Sequence, residues 1–332
     1  MNPFAIAQPK TFAEAAELMT DARFKLPILK AGGLDVVDHL KEGLLEPDVL
    51  VNVRRLSSGG GEPIAASGGG VRIEANATLA QIAGSPLIRK SVPVLAQACE
   101  SAATPQVRNV ATAAGNLLQR PRCWYYRNEQ FDCLKKGGPT CYAALGENTY
   151  HAIFGDGPCH IVHPSNLAPA LMVTEGLVHL TGSKRESIRI ADLYHMPDKG
   201  IRTESNLEIG EVVTHITLAP ATSSGFYAVK EKQSFDWPLV AAAVVLVLEG
   251  DTIASARVCA AAVAPIPWML PKVAAALKGV KVTDDAGLKK ACAIAAEGAK
   301  PMSGNAYKVK LLPVAVHRAV LRAAGKLQEA EV

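Results

Sequence analysis

The stretch Leu26-Pro-Ile-Leu-Lys30, running directly into Ala31-Gly32-Gly33-Leu34-Asp35, reads as a short strand that turns at a small-residue corner into a helical pattern from Val36 to about Lys41. Glycines at a strand-to-helix turn let main-chain N–H groups converge on an anion with no Cβ in the way, which suits a pyrophosphate. A Gly-Gly pair alone is more often a plain turn, so weight falls on a second corner, Thr112-Ala-Ala-Gly-Asn116, which follows Gln106-Val-Arg-Asn109. Two such corners can close on one dinucleotide from two sides. Neither is a Rossmann fingerprint or a P-loop, because G-x-G-x-x-G and G-x-x-x-x-G-K-[ST] are both absent.

Working outward, Thr11-Phe-Ala-Glu14 is a capping box that opens a helix through Met19. Strand character recurs at 49–53 and 71–75, punctuated by Ser57-Ser-Gly-Gly-Gly61 and Ser67-Gly-Gly-Gly70, and helices are expected over 79–83 and 92–102. A helix through Leu171 takes Ser165 or Asn166 as its cap, and strands follow at 177–180 and 212–218. From Gly225 the texture changes. Long strands at 239–248 and 253–262 join at Glu249-Gly250-Asp251, and helices follow over 271–277, 287–299 and 306–324. This is a separate α+β unit, a sheet covered by helices on one side, its last helix an amphipathic surface helix with Arg318 and Arg322.

With 332 residues, 49% apolar and 20% charged, the chain can bury sizeable cores in two or three domains. No uninterrupted apolar run reaches the roughly 18 residues of a membrane span. The first twenty residues lack the pattern of a secretory signal, so no membrane insertion and a cytoplasmic location are expected, with co-export alongside a partner left open. The net charge of +4 comes from 35 basic and 31 acidic residues mixed along the chain, without the Lys/Arg stripe of a nucleic-acid binder. No Ser-His-Asp set, HExxH or paired-carboxylate arrangement stands out, so no catalytic residue is assigned.

Four of the seven cysteines, Cys123, Cys133, Cys141 and Cys159, fall in one stretch of the chain. Clustered thiols in a reducing compartment more often bind metal than form disulfides. Their gaps of nine, seven and seventeen residues match no short zinc-ribbon or ferredoxin spacing, which leaves zinc and iron-sulfur ligation both open. Cys99, Cys259 and Cys292 lie in apolar segments and read as core. Trp124, Tyr125 and Tyr126 suit either stacking near a cofactor or packing of a long insertion, while His151, His160 and His163 read as surface or cap residues.

The order AGGLD (31–35), QVRNVATAAGNL (106–117), HPSNLAPAL (163–171), GEVVTHITL (210–218), ARVCAAAVAPIP (256–267) and NAYKVKLL (305–312) resembles the FAD-binding medium subunit of the molybdenum hydroxylases, the family of xanthine dehydrogenase, carbon monoxide dehydrogenase and aldehyde oxidoreductase. The cysteine segment is similar to a four-cysteine insertion that holds a 4Fe-4S cluster in some members. The resemblance implies an α+β fold with a two-part FAD-binding domain of the PCMH/VAO-like type. Its subdomains would be 1–55 and 56–222, with the iron-sulfur insertion at about 119–160, followed by a CO dehydrogenase flavoprotein C-terminal-like domain over 223–332.

By the same resemblance Lys30, Ala31, Gly32, Gly33, Leu34 and Asp35 would cradle the FAD pyrophosphate, and Thr112, Ala114, Gly115 and Asn116 would form the second turn beside the flavin. Ser165 and Asn166 would lie near the ribityl or adenosine portion, with Lys230 close by. Relatives usually have Thr or Ser at position 34, Gly at 114, Asp at 166 and Lys at the site of Ala228. The implied function is electron transfer from a large molybdopterin-binding subunit and a small 2Fe-2S subunit through FAD to an external acceptor, in oxidation of an aldehyde or an aromatic or heterocyclic substrate. A 4-hydroxybenzoyl-CoA reductase-like β subunit, running electrons toward molybdenum, and a zinc-stabilised assembly protein are the alternatives.

Overall fold

In the computed structural model of the chain, which describes residues 2–59, 61–232 and 235–327, short aliphatic strands separated by capped helices build a parallel three-stranded sheet. Its strands are Ala5–Ala7 (β1), Pro27–Lys30 (β2) and Val49–Asn52 (β3), in the order β1-β3-β2. Parallel pairing demands crossovers, and the helices Phe12–Thr20 and Leu34–Lys41 supply them. Thr11 Oγ1 accepts from Glu14 N–H at 3.1 Å, as a capping box requires, but the Glu14 carboxylate reaches back to Lys10 N–H rather than to Thr11. The fully reciprocal box is Thr78 with Gln81, at the start of the helix Leu79–Gly84.

A second, antiparallel sheet contains Ile64–Ser67 (β4), Gly70–Glu74 (β5), Leu177–Thr181 (β6), Ser187–Arg189 (β7) and Val212–Leu218 (β8), in the order β4-β5-β8-β6-β7. The Ser67–Gly70 run is a tight hairpin whose Gly68 and Gly69 take φ of 56° and 78°, so the chain before it is strand β4. Gly60 of the other glycine run lies outside the described residues. The helix expected over 92–102 is Pro93–Glu100, preceded by a separate helix Pro86–Ser91; Val92, before proline, leaves the helical region.

The third sheet holds Ser224–Val229 (β9), Val240–Glu249 (β10), Thr252–Ala261 (β11) and Trp268–Met269 (β12), in the order β12-β11-β10-β9, with helices Pro271–Leu277, Asp285–Ala293 and Tyr307–Ala323. The expectation of one covered side is corrected. Val240, Ala242, Val244 and Leu246 pack with the C-terminal helices, whereas Ala241, Ala243 and Val245 join the core of the preceding region, against helices Pro93–Glu100 and Leu167–Val173. Burial on both faces is why β10 shows no polar alternation. The last helix is accordingly a core element, with Leu312, Val316 and Val320 fully buried and Arg318 and Arg322 set over the Tyr227 ring.

Residues 119–160 form little regular structure: one helical turn, Trp124–Arg127, and two 3-10 turns, Leu134–Lys136 and Tyr142–Ala144. A small core of Tyr125, Tyr126, Cys133 and Ala143 holds them. Among the described residues no helix is long and apolar enough to cross a membrane.

Candidate functional site

A cavity of about 510 Å³ opens where the first two sheets meet, and both small-residue corners face it. Gly33 takes φ of 86°, a left-handed conformation that frees the first amides of the helix Leu34–Lys41. Gly32 is required by proximity, since a Cβ there would stand 2.2 Å from the Val110 carbonyl oxygen. The first corner is thus seated directly on the chain leading to the second. There Thr112 Oγ1 accepts from Gly115 N–H at 3.2 Å and caps the short helix Ala113–Leu117.

Of the residues singled out in the sequence, Ala31, Gly32, Gly33, Leu34, Asp35, Thr112, Ala114, Gly115, Asn116 and Asn166 all line this cavity. Three do not. Lys30 packs its side chain beside Gly33, Lys230 donates its ammonium to the Ser101 carbonyl, and Ser165 donates to Asn116 Oδ1 at 2.7 Å and lines an adjoining cavity of about 340 Å³. The cap of the helix Leu167–Val173 is shared: Asn166 holds the N-cap position without a side-chain capping bond, its Nδ2 donating instead to Ala98 O at 3.5 Å, and Ser165 Oγ accepts from Ala168 N–H.

Asp35 is committed to charge pairing. Arg122 lies 2.9 Å and Arg127 2.7 Å from its carboxylate, and Arg120 N–H donates to it at 2.8 Å. Burial opposes the charge, yet Arg122, the Arg120 amide and Arg127 outweigh it and hold the carboxyl below the usual range.

Three pairs of the clustered cysteines sense one another. Cys141 and Cys159 share a hydrogen bond that favours the thiolate on Cys141 and raises Cys159, and Cys123 lies close enough to Cys133 and Cys141 to feel their charge. Burial pushes the Cys123 thiol up to about 11, partly opposed by the amides of Tyr126 and Tyr125. Amides of His160 and Ala143 likewise favour the thiolate of Cys141, and that of Ile161 the thiolate of Cys159. Among the described residues no three His, Cys, Asp or Glu groups stand close enough together to hold a single metal ion. The other cysteines, Cys99, Cys259 and Cys292, are buried core residues as expected. His151 and His163, read as surface or cap residues, are buried instead, at 4% exposure each.

Residues 2–221 match the family described as the FAD binding domain in molybdopterin dehydrogenase, and residues 225–323 match the CO dehydrogenase flavoprotein C-terminal domain. The chain belongs to the FAD-binding subunits of the molybdenum hydroxylases. Similar curated proteins include the aldehyde oxidoreductase FAD-binding subunit PaoB of Escherichia coli (strain K12), 33% identical over 276 residues, 81% of this chain and 84% of that one. The carbon monoxide dehydrogenase medium chain of Afipia carboxidovorans is 28% identical over 331 residues, 96% of each chain. The fold is shared with a crystal structure of the Cu,Mo-CO dehydrogenase in its cyanide-inactivated form, with a TM-score of 0.75 at 24% identity over 98% of this chain and 100% of that one. It is shared too with quinoline 2-oxidoreductase from Pseudomonas putida 86, with a TM-score of 0.75 at 20% identity over 98% and 99%. The α+β architecture of two joined modules and the oxidoreductase class implied by the resemblance are both borne out.

This molybdenum-hydroxylase subunit also presents site residues that the sequence reading missed. Arg122 lines both cavities and lies 5.1 Å below the Trp237 ring, and Trp237 and Asp236 wall both cavities as well. The signal for Arg122 was the spacing of Asp35, Asp38 and Glu42 along one face of a helix, which leaves an acidic stripe in need of cations. Nothing local marks Trp237.

Proposed function

We propose that this subunit holds FAD along the cavity between residues 31–35 and 112–116 and a four-iron four-sulfur cluster on Cys123, Cys133, Cys141 and Cys159, and relays electrons from partner subunits carrying molybdopterin and 2Fe-2S clusters to an external acceptor. The observation that carries this reading is that both corners face one cavity, with left-handed Gly33 at the helix start and Gly32 seated against the Val110 carbonyl of the chain leading to the second corner. Bound FAD would supply the conversion of single-electron arrivals into one- or two-electron release. The chain's own part is to present amides at the helix start beside Gly33, to keep Asp35 paired with Arg122 and Arg127 so that its charge does not repel phosphate, and to exclude water with the apolar walls of Leu29, Val53, Leu79 and Val107.

What supports a cluster is the donor chemistry: Cys123 lies within electrostatic reach of Cys133 and Cys141, Cys141 is hydrogen-bonded to Cys159, and amides favour the thiolates of Cys123, Cys141 and Cys159. A tetrahedral zinc site would draw its sulfurs to within about 4 Å of each other, given Zn–S bonds of about 2.3 Å. Metal content therefore separates zinc from a cluster. The name of the similar aldehyde oxidoreductase FAD-binding subunit favours aldehyde oxidation in the partner subunit. The test is the colour and content of the purified complex. Releasable FAD together with iron and acid-labile sulfide is expected, whereas zinc without iron or flavin would end the reading.

A further inference from the structure

The geometry points to His151 as a positioning residue for the cysteine cluster: its Nε2–H donates to the Cys123 sulfur, and the C-terminal domain holds it there through Asn305 and Lys308. The inference rests on the cluster reading above. His151 Nε2 stands 3.2 Å from Cys123 Sγ. The imidazole is 4% exposed and is wedged between Trp124, with centroids 5.4 Å apart, and Tyr125, at 6.1 Å.

The main chain on either side of His151 is held by a remote part of the sequence. Tyr307 OH donates to Thr149 O at 2.9 Å, Lys308 Nζ to Tyr150 O at 2.9 Å, and Asn305 Nδ2 to both His151 O and Ala152 O at 3.1 Å. Four consecutive carbonyls are therefore capped by three residues from the start of the last helix. Gly304 N–H adds a bond to Asn148 Oδ1 at 2.7 Å. Asn305 is 0% and Lys308 1% exposed, and burial at such depth is unfavourable unless hydrogen-bonded; Lys308 Nζ also donates to Ala262 O at 2.8 Å, so these bonds tie the His151 segment to the C-terminal sheet as well as to the last helix. What they fix is the segment that aims His151 at Cys123. A donor on a ligand thiolate stabilises the more negative, reduced state of a cluster and raises its potential.

The test uses the complex purified anaerobically with its partner subunits, compared as wild type, His151→Phe, His151→Gln and Asn305→Ala. His151→Phe should keep iron, sulfide and FAD while the cluster midpoint moves downward in a redox titration followed by electron paramagnetic resonance. His151→Gln retains an N–H at similar reach and should stay nearer wild type. Asn305→Ala should move the midpoint in the same direction as His151→Phe, and it decides the matter should the Phe variant fail to assemble. Full iron with an unmoved midpoint overturns this inference and leaves the cluster reading standing. Wild-type complex without iron and sulfide overturns both.

Discussion

From Ala31 to Asp35 the backbone is shaped by a strand, a left-handed glycine and a helix start, and remote residues add the Val110 contact and the Asp35 ion pairs. From Arg120 to Cys159 it is fixed by side chains arriving from elsewhere. Arg127 pairs with Asp35 and Asp38 at 2.7 and 2.9 Å, Arg120 and Lys135 pair with Glu204, and Asn305 and Lys308 bind the far end. The flavin-side backbone is thus mostly set by regular elements of its own, whereas the thiol side has only short turns and is tied by remote side chains. Damage should therefore stay confined in the first region, whereas in the second it should also come from distant substitutions.

The two largest expected effects test whether the regions are independent. Gly33→Asp puts a Cβ into left-handed backbone and a carboxylate where amides converge, so flavin released on denaturation should fall to a small fraction of wild type, while iron remains. Cys133→Ser should do the reverse, with iron and sulfide lost and most FAD retained. Loss of both cofactors in either variant would mean that the regions form one cooperative unit, and unchanged flavin in the first would misplace the corner.

The same contrast governs what the sequence could tell. The β-α-β unit was legible because Gly32-Gly33 between an apolar strand and a helical pattern leaves few alternatives, and the two long strands of the third sheet were legible from length and composition. The pairing of Asp35 with Arg127 was not, because no periodicity links residues that far apart in the chain. Strand β4 was missed because Ile64-Ala-Ala-Ser67 is short and flanked by glycine runs, and pairing with β5 overrides its weak propensity. The buried second face of β10 had a signal in Ala241-Ala-Ala-Val-Val245, which lacks any polar residue, but one open side was assumed.

Intermediate effects probe the borrowed ties. Arg127 is 9% exposed at its side chain and Asp35 18%, so Arg127→Ala strips a half-buried carboxylate of one partner while Arg122 remains. A loss of about 2 kcal/mol in denaturant unfolding is expected, below the full cost of an unpaired buried charge. Because the Asp35 pKa is depressed in the folded protein, its contribution is present above the unfolded value and lost as pH falls through the folded one. The variant should accordingly lose less stability on acidification than wild type, and parallel acid curves would count against the pairing.

Lys308 has the opposite sense. Burial lowers its pKa to about 7, so the folded chain gives up this proton at lower pH than the unfolded chain does. Stability should rise with pH from about 7 toward the ordinary lysine range and level off beyond it. Melting temperatures of Lys308→Met across that window should show a flatter rise, and identical slopes would mean that the ammonium is better solvated than its 1% exposure suggests.

The smallest effect separates two buried thiols by their neighbours alone. Cys259 is 0% and Cys133 6% exposed, so burial does not distinguish them. Cys259 lies in β11 among Ala and Val side chains, and burial with no opposing donor or charge pushes its thiol well above the ordinary range, whereas Cys133 stands within electrostatic reach of Cys123. Cys259→Ala should cost about 1 kcal/mol for the lost sulfur volume and leave iron, sulfide and FAD at wild-type levels. A fall in iron there would show that the thiols of the insertion are not the whole ligand set, and that the sheet of the C-terminal domain takes part in holding the metal.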